Sequence, residues 1–299
     1  GADAVIPWAD TDRGESRVAI HRAVAAGDNV RRRAEDVKSG TTVLTRGSRI
    51  SARHVALLAG LGLHRVRVRP APRVVVVSIG DELVEPGQSR EAGDVFDANG
   101  HALACAVTDA GGQAFRVAAV PDELRALADT IEDQLVRADV LITTGGLSVG
   151  QGDTVKDVLA PLGSVRFDAV AMSPGRQLGV GTVEGTPIFC LPGDPVSAQI
   201  AFETFVRPVL RQIAGRTSLH RSSLPATISE GWHSPSGKRE FVPVHVSGSP
   251  SRGYRAEPTT PPGAVRLHGL SEANAIAVVP EDTSTVVAGD TLHCLLLDA

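Results

Sequence analysis

Four consecutive valines, Val74–Val77, form an apolar run with no polar alternation. Such a run predicts a strand covered on both faces. Two further apolar runs, Val140–Ile142 and Ile188–Cys190, each end in a glycine-bearing loop. Between and around them the pattern predicts helices over Asn99–Ala110, Asp122–Val136 and Thr154–Leu162. It predicts strands over Phe115–Val120, Val165–Val170 and Gln177–Val183. A last helix runs from Pro195 to about Ala214, with Asp194 as its cap, Pro195 in its first turn and Gly215 as its stop. Pro208 falls inside that pattern and should kink or restart the helix. Strands alternating with helices predict an α/β fold, a mostly parallel sheet with helices on both faces.

The flanks read differently. Residues 26–71 alternate polar and small apolar positions, with one helix predicted over Ser51–Leu61, opened by Ser51 and closed by Gly62. Residues 1–25 hold a short strand-like piece, Ala4-Val5-Ile6, and read as the tail of a domain that begins upstream. From His220 onward, short strands are expected at Ala226–Ser229, Phe241–Val246, Ala275–Val279 and Leu292–Leu297. Gly, Pro and Ser turns separate them, which predicts a small all-β domain.

At 299 residues the chain exceeds one ordinary core, so two or more domains are expected. The formal net charge of −4 argues against a general nucleic-acid binder. Cys105, Cys190 and Cys294 lie far apart, which fits a reducing compartment and no structural zinc. No apolar stretch approaches the ~20 residues of a membrane span. The expected location is the cytoplasm.

The loop Gly145–Gly152 follows a buried strand and lets backbone N–H groups approach an anion. Thr143, Thr144 and Ser148 add hydroxyls. No Gly-Lys-Ser/Thr follows, so it is not a Walker A loop, nor is it a dinucleotide fingerprint. Gly179-Val180-Gly181 is set aside, because Thr182–Thr186 after it reads as a hairpin turn. The second loop, Leu191–Ala198, places a helix N-terminus at the same sheet edge, where negative charge is favoured. Asp194 opposes this by occupying the amides itself. Asp81 and Glu82 follow the first strand, Asp97 and Asn99 precede a helix and Asp153 closes the glycine loop; each alone reads as a helix cap, but together at one edge they suit Mg²⁺ bridging to phosphate. In Ser173–Gln177, Arg176 could grip an anion. Arg31–Asp36 reads as a surface ion-pair cluster, and His54, His64, His101 and His268 read as surface or packing residues.

Taken in order, Asn29–Asp36, Gly80–Leu83, Asp97–Asn99, Thr144–Gly150, Ser173–Gly175 and Leu191–Ser197 resemble the molybdopterin molybdenumtransferase family, the MoeA proteins and the gephyrin E domain. The resemblance spans essentially the whole chain. It implies the remnant of a β domain (1–25), a linker domain (26–71), a molybdopterin-binding α/β domain (72–217) and a C-terminal β-barrel (218–299). It implies insertion of molybdate into adenylylated molybdopterin with release of AMP, Mg²⁺ as cofactor and an elongated homodimer. By resemblance the acidic site residues are Asp36, Glu82, Asp122 and Asp153, with Glu82 and Asp153 holding metal. The expected ligand contacts are Thr144, Gly145, Gly146, Ser148, Gly150, Ser173, Gly175, Arg176, Pro192, Gly193, Asp194, Ser197 and Lys238.

Three positions depart from the family pattern. Ser173 stands where the family has a lysine, Asp194 where it has an asparagine, and Pro243 closes a barrel motif that usually ends in arginine. A family segment of the form Ser-Ala-Met-Asp-Gly would lie upstream of Gly1. Three functions therefore stay open: the molybdenum transferase, an adenylyltransferase acting one step earlier, and a binding or scaffold protein on the same fold. The appended linker and barrel argue against the second.

Overall fold

The protein is described here from a computed structural model covering residues 1–147 and 154–297. The chain separates into two compact units, 1–48 and 49–299. In the first, hydrogen bonds from Val5 N to Asp28 O (3.0 Å) and from Gly27 N to Asp3 O (2.7 Å) fasten the start of the chain. Ala4-Val5-Ile6 is therefore tied to a turn and does not enter a described strand. The Arg31–Asp36 run forms no side-chain ion pair among the described residues. Instead the Glu35 carboxylate accepts the Arg32 backbone N–H at 2.7 Å.

The second unit begins with helix α1 (Ala52–Gly60). Here His54 is neither a bystander nor a core residue, since its Nδ1 accepts the Ser51 N–H at 3.0 Å and closes the helix start. The chain continues through β1 (Arg73–Ser78), β2 (Leu83–Val84), β3 (Val95–Phe96), α2 (Ala98–Ala110), β4 (Gln113–Arg116), α3 (Leu124–Leu135) and β5 (Val140–Thr144). Next come α4 (Thr154–Leu162), β6 (Gly163–Ala169), β7 (Met172–Ser173), β8 (Gln177–Val183), β9 (Thr186–Leu191), α5 (Pro195–Ala201) and α6 (Arg207–Ile213).

The central sheet has the order β4-β1-β5-β9-β8-β6. Its first four strands are parallel, whereas β8 and β6 are antiparallel additions. The sheet is thus mixed, more so than strand–helix alternation suggested. The reason is local: β8 and β9 are joined by the two-residue turn Glu184-Gly185, both at positive φ (49° and 83°). A turn that short returns the chain antiparallel. β4 also starts two residues earlier than expected, and beyond it Val120 meets Ile79 only as an isolated bridge.

The valine run works as its pattern predicts. Val74 and Val76 pack with Leu103, Phe202 and Leu210 of α2 and the α5–α6 rod on one face. Val75 and Val77 pack with Leu127, Ile131 and Leu159 of α3 and α4 on the other. The α5–α6 rod is continuous only through a π-helical segment, Phe202–Val206, directly before Pro208. Proline supplies no N–H to the helix ladder, and a widened turn is a known way to absorb that loss.

The remaining strands are β10 (Ser223–Ile228), β11 (Trp232–His233), β12 (Arg239–Ser249), β13 (Gly253–Pro258), β14 (Ala275–Val279), β15 (Thr285–Val286) and β16 (Thr291–Leu296), with α7 (Leu267–Glu272) before β14. Strands β10-β16-β14-β12-β13 close on themselves through the β13–β10 pairing, making a five-stranded barrel. Its core holds Val242, Val244, Ala277 and Cys294, and burial pushes the Cys294 thiol up to about 11. Pairing of β7 with β12, and an apolar cluster joining Met172, Val196 and Ile200 to Phe241 and Ile276, fasten barrel to sheet. No described helix is long and apolar enough to cross a membrane.

Leu141 lies fully buried in the middle strand. Leu141→Ala should cost about 2–5 kcal/mol through a cavity with little room to collapse. A urea denaturation midpoint indistinguishable from that of the wild type would contradict this packing.

Candidate functional site

The strands β1, β5 and β9 run parallel, so their carboxyl ends share one edge of the sheet. At that edge the chain leaves each strand through a glycine turn. Gly145 has φ +88°, and a β-carbon there would come within 2.2 Å of the Ile79 carbonyl oxygen. Gly146 has φ +65°, and a β-carbon would meet Val155 Cγ2 at 2.6 Å. Only glycine lets the first loop turn so close beneath the β1 end. A β-carbon on Gly193 would stand 3.5 Å from Gly145 Cα, so the two loops lie side by side.

Asn99 holds them there. Its Nδ2 donates to Thr144 Oγ1 (2.9 Å) and to the Gly193 carbonyl (2.8 Å). Thr144 Oγ1 in turn donates to the Pro192 carbonyl at 2.8 Å. A single buried amide thus ties α2 to both loops. Asn99 is placed by Asp97, which caps α2. The Asp97 carboxylate accepts from Gly100 N (2.8 Å), Ser78 Oγ (2.8 Å) and Arg116 Nη1 (3.3 Å). Asp97 is thereby fully engaged in structure, and Asn99 serves as a clamp; the metal-ligand reading of these two residues does not hold. Arg116 also grips Glu85 with both Nη atoms, and His101 adds a contact at 3.2 Å. The hydrogen bond from Arg116 holds the Glu85 carboxyl below its ordinary value, against a smaller opposing effect of desolvation. Glu85 and Arg116 were not singled out in the sequence, since neither lies in a glycine loop or at a predicted strand end.

The edge encloses a cleft of about 290 Å³. Its floor is Ser78–Gly80, Asn99, Thr144–Leu147 and Gly193, and Glu82 and Asp122 line its side. The Glu82 carboxylate folds back over Gly80, where a β-carbon would meet it at 2.7 Å. Asp122 Oδ1 lies 3.7 Å from the position of a β-carbon on Gly146. The Asp81 carboxylate accepts the Asp122 backbone N–H at 3.0 Å, steering Asp122 toward the cleft. Neither the Glu82 nor the Asp122 carboxylate has a hydrogen-bond or ion-pair partner among the described residues.

The cleft lining therefore includes Thr144, Gly145, Gly146, Gly193, Glu82 and Asp122 from the predicted set. Pro192 borders it through its carbonyl. A second group gathers on the seam with the barrel. A β-carbon on Gly175 would stand 3.1 Å from Ser197 O, Ser173 pairs with Glu240 of β12, and half-buried Lys238 immediately precedes that strand. Arg176 is exposed in the same segment. Asp194 caps α5 by accepting the Ser197 N–H at 2.8 Å, so that amide is already taken. Asp36 lies exposed in the 1–48 unit. Ser148, Gly150 and Asp153 lie outside the described residues. Among the described residues no group of three or more His, Cys, Asp or Glu side chains converges as a metal centre.

Asn99→Ala should cost about 1–3 kcal/mol, since it removes both hydrogen bonds that tie α2 to the loops. Amide exchange at Gly145 and Gly193 should quicken beyond the global change; equal protection in both proteins would refute the clamp. A carboxyl whose folded pKa is depressed stabilises above its unfolded value and loses that contribution as pH falls through the folded one. Glu85 is such a group. From about pH 5 downward, the wild type should lose stability that Glu85→Gln never had, so the two unfolding curves converge. Parallel curves down to strongly acid pH would contradict the Arg116 pairing.

Comparison with known proteins accords with this geometry. Residues 75–212 match the family described as a probable molybdopterin binding domain. Residues 1–62 match the MoeA N-terminal region (domain I and II), and residues 225–297 match the MoeA C-terminal region (domain IV). Molybdopterin molybdenumtransferase 2 of Mycobacterium tuberculosis is 38% identical over 98% of this chain and 73% of its own length. Molybdopterin molybdenumtransferase 1 of the same organism is 35% identical over 99% and 71%. A crystal structure of the molybdopterin biosynthesis MoeA protein from Pyrococcus horikoshii superposes with a TM-score of 0.81 at 28% identity, covering 99% of this chain and 72% of that one. The closed barrel, the mixed sheet and the paired glycine turns thus occur in a chain that belongs to the molybdopterin molybdenumtransferase (MoeA) family.

Proposed function

We propose that this protein inserts molybdenum into molybdopterin in the biosynthesis of the molybdenum cofactor. Its substrates are adenylylated molybdopterin and molybdate, and AMP is released. The observation that carries this reading is the cleft itself. Two glycine turns clamped by Asn99 present backbone to one side of a small polar space, and two carboxylates without a partner among the described residues line it. Backbone N–H groups in such turns suit a phosphate. Carboxylates beside a phosphate suit a divalent cation, and their freedom from any described basic partner fits Mg²⁺ as the counter-ion.

In this reading the Gly146 N–H of the first turn meets the phosphate link of the substrate, while the Gly145 N–H stays on the Leu191 carbonyl at 3.3 Å. Glu82, with Asp153, would hold Mg²⁺, which when bound would neutralise charge on the phosphate as AMP departs. Asp122 orients the polar end of the ligand, and Asp81 positions Asp122. Ser148, Gly150 and Asp36 are assigned to the same reaction by resemblance to the family. The seam group of Ser173, Gly175, Arg176, Pro192, Ser197 and Lys238 meets the remainder of the ligand. The reading includes a cytoplasmic homodimer, supported by the family resemblance.

A binding-only role is the second reading, and Asp194 is the observation that favours it. Its carboxylate spends the Ser197 N–H on capping and adds negative charge where an anionic ligand would approach. Ser173 supplies no opposing cation.

Glu82→Gln separates the two. Molybdenum transfer should fall on the order of 100-fold or more, the scale on which removing one charge-organising group acts at a reacting centre. Molybdopterin affinity should change little. Transfer undiminished in the variant would contradict the role of Glu82, and no transfer by the wild type despite tight pterin binding would favour the binding-only role.

A further inference from the structure

A second cavity, of about 630 Å³, lies away from the nucleotide cleft and shares no lining residue with it. It sits where the end of α2 meets α6 and the segment leading to the barrel. Four arginines line it: Arg49, Arg207, Arg211 and Arg221. Among the described residues the carboxylates that oppose them are Asp109 in the lining and Glu203 beside it. Glu203 is largely committed to Arg221, accepting from its Nε and Nη2 at 2.8 Å each.

Arg207 is the anomaly. Its side chain is 8% exposed, and it lies 3.2 Å from Glu203 through Nε. The direction of that contact satisfies no hydrogen bond, so buried Nε and Nη1 both lack an acceptor. A buried guanidinium without acceptors is costly unless something else supplies them. Arg211 uses its Nε on the Ser218 carbonyl at 2.6 Å. Desolvation and neighbouring arginines lower the proton affinity of both Arg207 and Arg211. Together these features place an excess of positive charge in the cavity wall, of which Arg207 is part.

We propose that this cavity binds a doubly charged tetrahedral oxyanion, of the phosphate, sulfate or molybdate class, held by Arg49, Arg207 and Arg211. Guanidinium forks match such oxygens geometrically, and charge-assisted hydrogen bonds are the strong kind. The site stands on its own residues and does not depend on the assignment of the nucleotide cleft.

Titration calorimetry on the whole chain tests it, with inorganic phosphate, sulfate and molybdate each run against chloride at equal ionic strength. The wild type should bind at least one of the three saturably, and the tightest of them identifies the occupant. Gly193→Val, which fills the nucleotide cleft at an exposed glycine, should leave that binding intact. The double variant Arg49→Gln/Arg211→Gln should weaken it by ~10-fold or more, the loss expected for charge-assisted hydrogen bonds. Arg207→Met, which replaces the buried charge with an apolar chain, should do the same. A wild-type response no greater than that to chloride would overturn the proposal. So would a response that survives in both arginine variants, or one that disappears in Gly193→Val.

Discussion

The close approach of Gly145 to the Ile79 carbonyl is the constraint on which the site depends. A β-carbon at 2.2 Å from that oxygen is impossible, so the first loop can cross beneath the β1 end only as glycine. That crossing brings Gly145 against Gly193 and lets one amide, Asn99, bond to both loops. The strands supply parallel ends at one edge, and the helices α2 and α5 supply the clamp and the cap. Without the close crossing the loops would diverge, and the carboxylates of Glu82 and Asp122 would line an open surface.

Charge is divided unevenly over the α/β domain. The cleft carries acidic side chains over a backbone floor, with Asp194 adding another carboxylate at the head of α5. The cavity beside α6 carries arginines in excess. The Asp97–Arg116–Glu85 network lies behind the cleft, where one guanidinium joins two carboxylates and fixes their positions. In the proposed reading, function falls to carboxylates without partners among the described residues, and rigidity to groups that have them.

Much of this was legible in the sequence because it depends on local chemistry. The uninterrupted valines announced a strand buried on both faces, and each alternate valine meets helices on its own side. Asp194-Pro195 announced a helix start, Pro208 a discontinuity, and the Gly145–Gly146 pair a turn at a strand end. What was not legible depends on distant partners. Asp97 reads as a helix cap or a metal ligand, and only Ser78 and Arg116, each nineteen residues away, show it to be structural. Asn99 reads as a helix-cap neighbour until Gly193 is seen beside it. The β8–β9 hairpin was legible in the turn at Thr182–Thr186, whereas the antiparallel addition of β6 was not, since its pairing with β8 depends on a distant partner.

The central claim is that the nucleotide-linked phosphate of the substrate rests on the paired glycine turns. A crystal structure of the protein with adenylylated molybdopterin tests it most directly. The account predicts phosphate oxygens within hydrogen-bonding distance of the Gly146 N–H, with Glu82 and Asp122 facing them. Phosphate bound elsewhere, with this cleft holding only solvent, would contradict it.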